Sequence, residues 1–139
     1  MNKYVNMNNR MWLIPILVVV INALLIIVRW SSLPELLPAH FDLQGNASGV
    51  MSRQVLPLYP LIAIVISLIA YVIAHIKHNL QTGLVVLVTG ICLVLLFSTL
   101  VTLTSGKVPL FMLAEPIILL VAVIGFVVCI VKSRKMRKF

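Results

Sequence analysis

The chain has 139 residues, a mean hydropathy of +1.16 and only 10% charged residues, against about 25% for an ordinary soluble domain. That composition excludes a soluble globular fold. The net charge of +8 is concentrated in a basic stretch at the C-terminus, which suits a membrane surface better than a nucleic acid, since no basic surface interleaved with aromatics accompanies it.

The apolar residues come in blocks. Arg10 to Arg29 encloses 18 uncharged residues, Arg53 to Lys77 encloses 23, and Lys77 to Lys107 encloses 29. From Val108 to Val131 the one charged residue is Glu115. A bilayer core of about 30 Å takes roughly 20 apolar residues as a helix, and only helices or closed barrels satisfy their backbone there. The blocks predict an all-α, polytopic membrane protein, a single domain over 1–139. Its four-helix bundle has transmembrane helices at about 11–30, 56–76, 82–104 and 109–131. The first block is longer than a signal-peptide core of about 7–15 residues and lacks a small-x-small cleavage site, so it is expected to remain as helix one. Asn22 stands near its middle and Arg29 near its end.

The first connection is the long one. Residues 31–54 are expected to form an ordered external cap, because structureless loops above about 12 residues are uncommon and often functional. Ser32-Leu33-Pro34-Glu35 has the spacing of a capping box, which predicts a short helical turn that Pro38 would end. Ala39 to Asp42 should be extended, and turns are expected at Asp42 to Asn46 and at Ser48-Gly49. Leu33, Leu36, Leu37 and Phe41 should fold down onto the helix ends. Pro57 and Pro60 mark the entry to helix two, with Tyr59 at headgroup depth.

Tight connections at 78–82 and 105–108 make helices two, three and four antiparallel neighbours. Ser98, Thr102 and Ser105, with Thr99 beside them, form a polar face on helix three; these and Asn22 are expected to join neighbouring helices by hydrogen bonds. Glu115 falls about 9 Å inside helix four at the standard rise. An ionisable residue there costs about 2.5–3.5 kcal/mol on insertion scales and marks a candidate site. The expected arrangement is an Arg29–Glu115 clasp, ahead of a substrate or proton site. Cys92 and Cys129 lie within helices, have no paired spacing, and read as small apolar residues.

Lysine and arginine are distributed eight against three between the two sides, which predicts both termini in the cytoplasm. The basic tail, 132–139, is then cytoplasmic and the 31–54 cap outside. Within that cap Glu35, His40 and Asp42 are the candidate ligating or catalytic groups. A single histidine is a poor start for zinc, and no nucleophile–base set has a defensible spacing. No metal, cofactor or enzymatic activity is therefore expected. The structural reading has Pro38 stiffening the cap, Phe41 plugging it into the bundle, Gly45 turning it, and His40 and Asp42 meeting backbone groups or Arg29 or Arg53.

The run LPELLPAHFDLQGNASGVMSR resembles the loop signature of a domain-of-unknown-function family found as the N-terminal part of SdpI-type immunity proteins. The matching positions are Leu33, Pro34, Pro38, His40, Phe41, Asp42, Gly45 and Ser52, with Arg53 where lysine is usual. Ser48 and Val50 stand where the family commonly has aspartate and tryptophan. The resemblance spans about residues 12–65 and implies a bacterial cell-membrane protein whose external loop recognises a secreted peptide toxin or a partner membrane protein. Homo-oligomerisation is compatible with it. The competing expectations are a small transporter of lipophilic or cationic substrates, with Glu115 as its membrane carboxylate, and an accessory subunit of a larger membrane complex.

Overall fold

A computed structural model of the chain describes residues 8–42, 44, 46–105, 107 and 109–136. Four helices dominate it: α1 (Leu13–Arg29), α2 (Leu58–Ile76), α3 (Gln81–Leu103) and α4 (Pro109–Met136). With their flanking turns, all four are long and apolar enough to cross a membrane, as in a multi-pass membrane protein. The helices lie within two residues of their expected limits, except at the end of α4. The helix α3 starts one residue early, after a 3₁₀ turn at His78–Leu80. The helix α4 runs on to Met136, so that Lys132, Arg134 and Lys135 of the expected tail are helical. Cations in a last turn complement the partial negative charge of the C-terminal carbonyls, which favours that extension. Arg137 and Lys138 lie outside the described residues.

The connection from α1 to α2 departs from the otherwise helical architecture. Between α1 and α2 the chain forms an antiparallel hairpin, β1 (Leu36–Phe41) and β2 (Ala47–Ser52), in the register Leu36↔Ser52, Pro38↔Val50 and Phe41↔Ala47. The helical turn expected at 33–37 is absent. The Ser32 hydroxyl donates back to the Arg29 carbonyl at 2.8 Å and closes a 3₁₀ turn at Trp30–Ser32, so it caps nothing downstream. An isolated helical turn ended by proline gains little, whereas a strand ladder satisfies the backbone of both segments. The turn expected at Ser48-Gly49 is also absent as a reversal. Both residues belong to β2, where Gly49 takes φ +79°, a conformation that costs an L side chain but not glycine.

The helix α3 is the centre of the bundle. It packs against α1, α2 and α4, while α4 packs chiefly on α3. In a bilayer, burial of apolar surface gives little net drive, because lipid is as apolar as leucine; close packing and hydrogen bonds hold the helices. The α3–α4 contact follows that rule. A Cβ on Gly90 would fall on the Cβ of Ala122, one on Gly83 would lie 3.1 Å from Phe126, and one on Gly125 would lie 2.9 Å from Val86. The outward apolar side chains of α4, among them Leu113, Ile117, Leu120 and Ile124, stay exposed and suit a lipid surround.

At the end opposite the hairpin, Trp12, Tyr71, His75 and His78 form a ring ladder, with centroid separations of 5.4, 6.4 and 5.9 Å. Gln81 Nε2 donates to the Asn8 carbonyl at 3.0 Å and ties the start of α3 to the entry of α1. Within the bundle Asn22 is buried at 1% exposure, and neither of its side-chain polar atoms has a partner. The expected interhelical bond from Asn22 is therefore missing. Two threonines of α3 also turn inward on their own helix: Thr99 donates to the Leu95 carbonyl and Thr102 to the Ser98 carbonyl, each at 3.0 Å. Such back-bonding satisfies a hydroxyl without any neighbouring helix.

Candidate functional site

The hairpin is closed on itself at its turn and fastened to the bundle at its open end. Its turn is built by Asp42. Oδ1 accepts from the Gln44 and Asn46 amides at 2.9 and 2.8 Å, and Oδ2 accepts from Asn46 Nδ2 at 2.9 Å. Aspartate side chains that bind amides two to four residues on are a standard means of closing a turn. At the other end, Arg53 Nη1 donates to the Leu33 carbonyl at 3.0 Å, and its guanidinium lies 5.3 Å from the Trp30 ring centroid. The Arg53 amide adds a bond to the Glu35 carbonyl at 2.9 Å. Arg53 thus joins the end of α1 to the start of the chain into α2. A lysine keeps the charge but neither the planar fork nor the ring stacking. We expect Arg53→Lys to lower stability by about 1 kcal/mol, read as a lower thermal midpoint in detergent.

Leu37 provides the plug. It is 3% exposed and packs with Ile26 and Leu56, flanked by Trp30, Leu33, Met51, Tyr59 and Leu103. Phe41 is half-buried, while Leu36 stays 62% exposed. The expectation that all four apolar cap residues fold down therefore fails at Leu36, because successive residues of a strand face opposite ways.

A cavity of about 330 Å³ lies beneath β1. His40 and Phe41 reach it from β1, Tyr59 from the first turn of α2, Ser98 and Thr102 from α3, and Met112 and Glu115 from α4. The spacings explain the convergence: Ser98 and Thr102 at i, i+4, and Met112 and Glu115 at i, i+3, each share a helix face. Its lining is mainly polar, in contrast to the nearly all-apolar grooves between α1 and α2. Ser98 and Tyr59 are the electrostatic neighbours of Glu115.

Arg29 is elsewhere. It lines a second cavity of about 250 Å³ with Ser32, Pro34, Pro38 and Ser105. Thr102 stands in the walls of both cavities, and no Arg29–Glu115 ion pair forms among the described residues. The expected clasp is thus replaced by two separate sites, because the end of α3 stands between α1 and α4 and keeps them apart.

The other candidates have definite places. Glu35 is exposed and takes part through its carbonyl. Pro38 lies in β1 opposite Val50 and lines the Arg29 cavity. Gly45 lies outside the described residues. Among those residues no three histidine, cysteine, aspartate or glutamate groups are gathered as a metal would need, so Glu35, His40 and Asp42 do not form a ligand set. Sequence reasoning missed Tyr59 and Met112 as site residues, and read Ser98 and Thr102 only as helix glue. The one available signal was Pro116 directly after Glu115, which marks a break in the helix α4 hydrogen bonds beside a membrane carboxylate.

Residues 17–64 match the model of a family described as Domain of unknown function (DUF1648). No match is found among the curated proteins or the solved structures. The matched segment takes in most of α1, the hairpin and the first turns of α2, and so includes His40, Phe41 and Tyr59. The other half of the cavity wall, from α3 and α4, lies beyond it.

Proposed function

We propose that this is a non-enzymatic bacterial cell-membrane protein of immunity type. In this reading the hairpin faces outward, both termini are cytoplasmic, and the capped cavity recognises a secreted peptide or a partner membrane protein. The observation that carries the reading is the meeting of His40 and Phe41, from the recognised loop signature, with Glu115 in one polar cavity. A cap tied down by Leu37, Arg53 and Asp42 makes a preorganised surface, which lowers the ordering cost of binding. The resemblance of the loop to SdpI-type immunity proteins supports the same function.

A second reading, transport of lipophilic cations, is favoured by the same carboxylate, since ionisable groups inside a bundle commonly mark substrate or proton paths. Survival separates the two. A sensitive Gram-positive host expressing the chain is challenged with secreted membrane-active peptides and with cationic drugs, beside His40→Ala and Glu115→Leu variants at equal membrane levels. Immunity predicts protection against one peptide, lost with His40→Ala. Transport predicts protection against varied lipophilic cations, lost with Glu115→Leu and kept with His40→Ala. Protection against nothing defeats both and leaves an accessory subunit of a larger complex, for which copurification is the test.

A further inference from the structure

We propose that the cavity beneath β1 is a binding site for a primary ammonium group on an aliphatic chain. The inference rests on the reading above that this cavity receives a ligand, and it names the chemistry received.

The first ground is charge. Glu115 supplies a carboxylate, and no lysine or arginine lines the cavity among the described residues. Arg29 lines the second cavity, and Arg53 is held by the Leu33 carbonyl and the Trp30 ring. An anion would find no permanent cation here.

The second ground is the balance of donors and acceptors. Thr102 spends its hydroxyl proton on the Ser98 carbonyl, so it offers the cavity lone pairs alone. Pro116 has no N–H, so the Met112 carbonyl receives no bond from the residue four positions on. Ser98, Tyr59 and His40 can each both donate and accept, whereas Glu115 and Thr102 offer the cavity acceptors alone, so acceptors outnumber donors on the wall. An ammonium group has three donors and no acceptor.

The third ground is shape and packing. Phe41 and Tyr59 put two aromatic rings on the wall, and ring faces attract cations most where water is excluded. A metal ion would need more ligands than one carboxylate and one imidazole. A volume of about 330 Å³ suits an alkylammonium head and falls at the small end of ligand sites.

Lysine side chains of a peptide and ethanolamine headgroups of lipid both present this group. The test uses Met112, one of six methionines, as a reporter. The full chain, labelled at its methionine methyls, is placed in phosphatidylglycerol nanodiscs and titrated with hexylammonium, with hexanol and hexanoate as controls. Hexylammonium should shift the Met112 methyl resonance saturably and leave Met11, at the far end of the bundle, unmoved. Hexanol and hexanoate should not. Glu115→Gln should bind about tenfold or more weakly, and Ser98→Ala several-fold more weakly, with the Met11 signal certifying the fold of each.

Equal shifts with hexanol, or undiminished binding by Glu115→Gln, would overturn the proposal. A soluble lysine-bearing peptide that reproduces the shift identifies a peptide source. Added phosphatidylethanolamine that produces it without any amine identifies a headgroup source. Ammonium binding without any survival phenotype would remove the immunity reading alone; protection without ammonium binding would remove this site alone.

Discussion

Gly90→Leu is expected to be the most damaging single change in the bundle. The helix α4 is held chiefly by α3, and at Gly90 the two backbones approach so closely that even a methyl group would fall on Ala122. The obstacle is the Cβ and the backbone of Ala122, neither of which can swing aside. A leucine must push the helices apart by more than a side-chain rotation can absorb. Overpacking of this kind costs about 1–3 kcal/mol, and here it also opens the neighbouring contacts of Gly83 with Phe126 and of Gly125 with Val86. Thermal unfolding in detergent, followed by circular dichroism, should show a clear drop in midpoint. Leu120→Ala, at a position 60% exposed on the outer face of α4, should change little. A Gly90→Leu protein as stable as the parent would mean that α3 and α4 do not approach as described.

The second large effect is expected at the hairpin. Asp42→Ala removes a carboxylate that accepts three hydrogen bonds across the turn. Because the site is exposed and water can replace part of what is lost, the local cost is about 1–2 kcal/mol, equivalent to roughly five- to thirtyfold in an opening equilibrium. Amide hydrogen exchange should therefore accelerate by about that factor across 36–52, while α3 stays protected. Asp42→Asn keeps an oxygen for the two backbone amides and should recover part of the protection. Unchanged exchange in Asp42→Ala would show that the ladder and the Leu37 plug hold the hairpin without its turn. His40→Ala touches neither the turn bonds nor the plug, so hairpin exchange should stay at the parent rate. Any functional loss in that variant then belongs to the cavity.

The three histidines illustrate what can be read from one dimension. His40 was identifiable as a site candidate because polar and ionisable residues are so scarce in this chain that one near Asp42 and Glu35 stands out. Its actual neighbours were not identifiable. Tyr59, Ser98, Thr102 and Glu115 are separated from it by 19 to 75 positions, and they meet because three helices end at the same level beneath one strand. His75 stands one helical turn from Tyr71, so that contact is local to α2, whereas the Trp12–Tyr71 contact that ends the ladder depends on α1 and α2 lying side by side.

By itself the sequence determined the membrane class, the number and approximate limits of the helices, and the place of the one long connection. These follow from block length and charge spacing, which are local properties set against the fixed thickness of a bilayer. Only the tertiary structure decided that the connection is a hairpin with a short strand pair, since a ladder needs a partner segment and the capping-box spacing at Ser32 competes with it on local terms alone. It alone decided that Glu115 lines a cavity with His40 and not with Arg29, because a helix offers several faces and nothing in a nearly uniform apolar run says which one meets α3. Gly90 lets α4 settle closer to α3 than any side chain there would permit, and Gly83 and Gly125 sit at the neighbouring tight contacts.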